Sequence, residues 1–131
     1  GILDDLKELS IWGNSVIIKS VPYKDKLADY FYCPQNGDFR EYIKPIIKTK
    51  NVNGTGDMFA SSIATYLARG WNIIDAIDKS EDFIHKAISY GAKFSFGTGF
   101  GPVFPFYKNY TKLQKENLRY RMNISQDRNN R

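Results

Sequence analysis

From Asn51 to Ala60 the chain reads Asn-Val-Asn-Gly-Thr-Gly-Asp-Met-Phe-Ala, a glycine-flanked turn that runs straight into a helix with a carboxylate at its mouth. The first turn of a helix leaves backbone N–H groups unpaired, and the aligned peptide dipoles place about half a positive charge there, so an anion is stabilised at that end. Gly54 and Gly56 lack the side chains that would keep a phosphate at a distance, and Thr55 offers a hydroxyl and an N–H toward the same point. Asp57 is placed to accept the proton of an alcohol that attacks phosphorus. The pattern is that of phosphoryl transfer to a hydroxyl. A plainer alternative stands beside it: Asp is a preferred helix cap, and Gly is common wherever a loop enters a helix. No Lys-Ser or Lys-Thr follows the last glycine and the glycine spacing does not fit the dinucleotide fingerprint, so neither common phosphate-loop family applies.

At 131 residues, 42% of them hydrophobic and 15% aromatic, the chain can bury a real core, and no shift of composition marks a second domain. No apolar run approaches the roughly 18 residues that span a bilayer, and nothing at the start resembles a signal peptide. A cytoplasmic location with no membrane partner is the expectation. The net charge of +5 suits ATP or another polyanion but is too modest to indicate nucleic acid. Much of that excess falls between Lys108 and Arg131, which predicts a basic, solvated tail over 108–131. Cys33, the one cysteine, follows a strand-like apolar run and is expected to be a buried, inert thiol.

Apolar spacing predicts a short amphipathic helix over 3–12, stopped by Gly13, and then a buried strand at Ser15 to Lys19. Pro22 to Lys26 reads as a turn, Leu27 to Cys33 as a second strand, and Arg40 to Lys48 as a third that Pro45 interrupts. These strands are expected to be antiparallel neighbours at a sheet edge, the third outermost or bulged at its proline. Beyond the glycine turn, helices are predicted from Asp57 to Arg69, where Gly70 ends the first, and from Ile73 to Tyr90, where Gly91 ends the second. His85 lies in the second of these helices with no other histidine to share a metal, so no metal site is expected. Gly97-Thr98-Gly99-Phe100-Gly101-Pro102 is a second glycine-rich loop, flanked by Phe94, Phe96, Phe104 and Phe106, which reads first as a connection pinned to the core by aromatics.

The order of these elements, with Gly54-Thr55-Gly56-Asp57 and Gly99-Phe100-Gly101-Pro102 at its two glycine turns, resembles the C-terminal half of the ribokinase-like kinases. Within them it is most similar to the hydroxymethylpyrimidine/phosphomethylpyrimidine kinases of thiamine biosynthesis, over roughly residues 1–106. The resemblance implies an α/β fold present in part: the C-terminal half of a central sheet flanked by helices, with a hairpin at the sheet edge. Residues 1–107 would be that portion of the kinase domain. It implies ATP and Mg2+ as cofactors, Asp57 as the catalytic base, and Asn53, Gly54, Thr55 and Gly56 as the anion hole for the ATP phosphates.

The chain departs from the pyrimidine kinase pattern at several positions. Asn53 and Asp57 stand where those kinases typically carry His and Cys, and Phe100 stands for a histidine. Aspartate is the base in ribokinase and pyridoxal kinase relatives, so pyridoxal or pyridoxine kinase is the alternative activity. Lys19-Ser20-Val21-Pro22 replaces a Lys-Gly-Gly-His segment, leaving Lys19 as the candidate nucleotide contact there. The expected reaction is ATP-dependent phosphorylation of the CH2OH group of hydroxymethylpyrimidine or of its phosphate. Family members are about twice as long, and their N-terminal half supplies early strands and most acceptor contacts. A separately encoded N-terminal half and a homo-oligomer are therefore candidate partners, and a non-catalytic remnant that keeps the phosphate cradle is a further alternative.

Overall fold

A computed structural model describes residues 1–95, 97–103, 105 and 107; the basic tail expected over 108–131, and Phe96, Phe104 and Phe106, lie outside the described residues. The chain forms two compact units, Gly1–Ile46 and a second that begins at Ile47.

In the first unit, α1 (Ile2–Leu9) precedes three strands, β1 (Val16–Tyr23), β2 (Lys26–Cys33) and β3 (Asp38–Pro45). They form an antiparallel sheet in the order β1-β2-β3. Alternation along β2 sends Ala28, Tyr30 and Tyr32 to one face, where Leu6 of α1 packs on Ala28 and Tyr30 with Val16, Ile18 and Val21 around them. On the same face the Tyr30 and Phe39 rings stack with centroids 6.1 Å apart. Burial, then the Glu41 carboxylate and Tyr23, push the Tyr30 phenol above its usual range.

Three sequence expectations change here. The first helix stops at Leu9 rather than running to residue 12: Ser10 Oγ donates to the Lys7 carbonyl and Gly13, at φ 81°, turns the chain, leaving Trp12 87% exposed. β1 is half-buried at an edge of the sheet and continues through Pro22 to Tyr23, so the turn is only Lys24 and Asp25. Proline is tolerated there because an edge strand can leave one N–H side unpaired. β3 spans Asp38–Pro45 and is outermost, as its proline implied, but Pro45 closes the strand opposite Lys26 and the register along β3 has no bulge. The irregularity sits in β1 instead, between Ile18 and Val21, where Ser20 takes φ 61°.

Asp29 explains that bulge. It is almost wholly buried, and its Oδ1 accepts the Ser20 N–H at 2.7 Å while Oδ2 meets the ammonium groups of Lys19 and of Lys44, the latter at 2.7 Å. A buried carboxylate is tolerable only with such pairing, and the pair of lysines supplies it from both neighbouring strands. Cys33 is buried as expected, its thiol 3.0 Å from Gln35 Oε1.

The second unit carries α2 (Thr55–Ala68) and α3 (Ile73–Gly91). Gly70 ends α2 at φ 86°, with its N–H on the Leu67 carbonyl and the Trp71 N–H on the Tyr66 carbonyl; the Tyr66 and Trp71 rings close the motif at 5.0 Å. Asn72 then caps α3, accepting the Asp75 N–H at 2.9 Å. Phe59 of α2 and Ala76, Ile77, Ile84 and Ala87 of α3 are buried, and Ser80 Oγ meets Ser62 Oγ at 2.9 Å between the helices. No helix of the described residues is long and apolar enough to cross a membrane.

Removing Asp29 leaves two ammonium groups without their carboxylate and the bulge without its acceptor. Asp29→Ala is expected to lower the unfolding free energy by about 3 kcal/mol. Urea denaturation checks this, and an unchanged midpoint would show that the cluster does not hold the sheet.

Candidate active site

The segment from Ile47 leads to Gly54, whose φ of 82° and ψ of 5° place it in the left-handed region where only glycine is comfortable. That conformation makes Gly54 the residue before the helix and Thr55 its first member. The Gly54 carbonyl accepts the Met58 N–H at 2.9 Å, and the Val52 carbonyl takes the Thr55 hydroxyl at 3.1 Å with the Thr55 N–H at a long 3.4 Å. The N–H groups of Gly56 and Asp57 have no acceptor among the described residues. A Cβ built on Gly54 or Gly56 would meet nothing within 4 Å, so the approach to these amides is open.

Asp57 is the third residue of α2, not its cap. It is exposed, and its carboxylate makes no hydrogen bond among the described residues. The capping alternative therefore fails for this side chain, since the capping position belongs to Gly54, which has none. A carboxylate so placed can receive a proton, and the amides beside it can receive an anion.

Asn53 holds one wall of this cradle. Its N–H donates to the Gly101 carbonyl at 3.1 Å and its Nδ2 to the Phe100 carbonyl at 3.0 Å, and an isolated parallel bridge joins it to Pro102. The second glycine-rich loop is thus fastened beside the first. Aromatic packing continues beyond it: Tyr107 stacks on Tyr90 at 5.0 Å, and burial pushes its phenol upward. A groove of about 380 Å3 runs along the flank of α2 from Met58 to Arg69, with Phe83 of α3 in its wall. The mouth of the helix, by contrast, lies open.

Lys19 belongs to the first unit, where its ammonium pairs with Asp29. It is not among the groups that the second unit gathers at the cradle. His85 is half-buried, and no group of three metal-ligating side chains occurs among the described residues. Lys50 and Asn51 also contact the loop and the end of α3, a role that their sequence neighbourhood does not announce, because their partners lie 40 or more residues away.

The sequence profile of the phosphomethylpyrimidine kinase family matches residues 4–104. The chain belongs to that family. Among similar curated proteins, the hydroxymethylpyrimidine/phosphomethylpyrimidine kinase of Staphylococcus aureus is 32% identical over 108 residues, covering 82% of this chain and 37% of the relative. The thiamine biosynthesis bifunctional protein ThiED of Geobacter sulfurreducens is 43% identical over 65 residues, covering 50% of this chain and 13% of its own. A Bacteroides thetaiotaomicron structure assigned as a phosphomethylpyrimidine kinase superposes with a TM-score of 0.70 at 27% identity, over 89% of this chain and 38% of that one. An ADP complex of Bacillus subtilis pyridoxal kinase gives 0.72 at 21% identity, over 84% of this chain and 41% of that one, which supports the shared fold alone. The fold is thus the α/β, ribokinase-like one, represented in part. The chain spans under two fifths of the Staphylococcus aureus kinase it matches.

The two glycines at the mouth of α2 differ in backbone conformation, and substitution separates them. Gly54→Ala puts a Cβ into the left-handed region and is expected to cost about 1–2 kcal/mol. Gly56 has ordinary helical backbone, so Gly56→Ala is expected to raise stability by about 0.5–1 kcal/mol while its methyl crowds the amides. Thermal unfolding in parallel with ATP titration checks both, and a Gly56→Ala protein that binds ATP like the parent would remove Gly56 from the cradle.

Proposed function

We propose that this chain carries the phosphoryl-binding cradle and the proton acceptor of a kinase that phosphorylates hydroxymethylpyrimidine, at its CH2OH group or at the phosphate of its monophosphate, in the cytoplasm. The observation that carries the proposal is the pair of unpaired amides at Gly56 and Asp57 beside an unbonded Asp57 carboxylate. Membership of the phosphomethylpyrimidine kinase family supports the choice of acceptor.

In this reading the terminal phosphoryl group of ATP lies over Gly54, Thr55 and Gly56, with Asn53 fixing the wall. The hydroxyl oxygen of the acceptor attacks phosphorus, its proton passes to an oxygen of Asp57, the bond from phosphorus to the bridging oxygen breaks, and ADP leaves with that oxygen. Negative charge that develops on the transferred phosphoryl meets the Gly56 and Asp57 amides, which are already oriented, so little reorganisation is required. One such donor contributes about 2.7–4 kcal/mol to transition-state stabilisation in comparable sites. Mg2+ enters with ATP as part of the substrate. The described residues gather no group of three or more His, Cys, Asp or Glu side chains to hold it. Lys19 is assigned as a nucleotide contact only if ATP draws it from Asp29.

A phosphate-binding module without turnover is the competing assignment. Pyridoxal is the competing acceptor.

ATP consumption with hydroxymethylpyrimidine and, separately, pyridoxal decides among these, using the chain alone and mixed with the remaining portion of the Staphylococcus aureus kinase. Turnover with hydroxymethylpyrimidine is expected, and Asp57→Asn is expected to reduce it by about 100- to 10,000-fold while ATP binding persists. An Asp57→Asn protein as fast as the parent would remove Asp57 from the chemistry. Turnover with pyridoxal instead would reassign the acceptor, and none in any folded mixture would favour the non-catalytic module.

A further inference from the structure

Three backbone carbonyls, one at the last residue of α3 and two beyond it, converge on two side chains that precede the cradle. Asn51 is almost fully buried, and its Nδ2 donates to the Gly91 carbonyl and to the Phe94 carbonyl, both at 2.7 Å. Lys50 Nζ donates to the Gly97 carbonyl at 2.8 Å. Between these side-chain contacts the two backbones pair directly: the Gly101 N–H donates to the Lys50 carbonyl and the Asn53 N–H to the Gly101 carbonyl, each at 3.1 Å. Every link joins the four residues before Gly54 to the end of α3 or to the glycine-rich loop.

Ordinary packing does not account for this choice of residues. A buried apolar side chain at position 51 would leave no orphan atom, whereas the Oδ1 of Asn51 is buried without a partner among the described residues. An unsatisfied buried acceptor is unfavourable, and it is tolerated here together with two short donor contacts from the same amide. Gly91 is the last residue of α3, and its carbonyl, which also accepts the Phe94 N–H at 3.1 Å, takes a second donor from Asn51 at a distance in sequence. Lys50 brings a positive charge onto the loop that carries Gly97, Gly99 and Gly101, a segment with little side-chain material of its own to hold it.

We infer that Lys50 and Asn51 are positioning residues that latch the 97–101 loop and the end of α3 to the segment feeding the cradle. Neither touches the anion. They act through Asn53, whose N–H and side-chain amide are both engaged by that loop and which immediately precedes Gly54. The left-handed turn at Gly54 and the aim of the Gly56 and Asp57 amides then depend on a loop more than 40 residues downstream. By linkage, an anion bound at those amides must in turn tighten the loop. This role rests on the cradle proposed above for its effect on anion binding, but the latch itself is a property of the fold.

Amide hydrogen exchange at Asn53 and Gly101, read residue by residue by NMR, tests the latch without reference to activity. Binding of radiolabelled inorganic phosphate and of ATP is measured on the same proteins. Lys50→Met keeps the length of the side chain and removes its ammonium, and is expected to speed exchange at both amides about tenfold or more and to weaken phosphate binding in step. Lys50→Arg, which keeps a donor, is expected to restore both. Asn51→Ser serves as a second variant with the same expectation, and if it fails to fold the lysine pair still decides. Unchanged exchange in Lys50→Met would overturn the latch. Faster exchange with phosphate affinity equal to that of the parent would overturn the positioning role. A parent protein that binds neither phosphate nor ATP would count against the kinase reading, while the exchange comparison would still settle the latch.

Discussion

The left-handed backbone at Gly54 decides where α2 starts, and the start of α2 decides which amides remain without partners. Had the helix begun at Met58, the Asp57 carboxylate would have occupied the capping position and folded back on the amides two and three residues later. Because Gly54 carries no side chain, nothing among the described residues satisfies the Gly56 and Asp57 N–H groups, at the positive end of the dipole of the 14-residue helix. The Asp57 side chain is released by the same geometry. One backbone conformation thus leaves both a pair of unpartnered amides and a neighbouring unbonded carboxylate among the described residues.

That conformation is supported from outside the turn. Asn53 is held on both its backbone and its side chain by Phe100 and Gly101, and Lys50 and Asn51 bind the carbonyls of Gly97, Gly91 and Phe94. The second unit therefore contains a cradle, a helix that polarises it and a downstream loop that braces it. The first unit is organised around a different polar centre, Asp29, which joins three strands through Ser20, Lys19 and Lys44. Each unit uses one buried polar side chain to fix backbone that apolar packing leaves undetermined.

Much of this was legible in the chain. Gly70 and Asn72 mark the end of α2 and the start of α3 because a left-handed stop and an Asn cap are local devices, and the Gly-Thr-Gly-Asp run marks a turn into a helix for the same reason. The hairpin of β2 and β3 follows from its turn residues and from a proline that cannot sit in a central strand. The bulge in β1 was not legible, since it depends on Asp29 nine and ten residues away reaching back to Ser20 and Lys19. The true first residue of α2 escaped because Asp57 is as good a cap by composition as Gly54 is by conformation. Lys50 and Asn51 escaped because their meaning lies in carbonyls 40 to 47 residues distant.

The amides of Gly56 and Asp57 are the groups on which the kinase account stands, and their response to ATP tests it most directly. In nitrogen-resolved NMR spectra of the 131-residue chain, ATP titration should shift these two amides first and furthest, with Thr55 and Asn53 following. Saturable binding that leaves Gly56 and Asp57 in place while shifting other residues would contradict the account, because the phosphoryl group would then be held elsewhere.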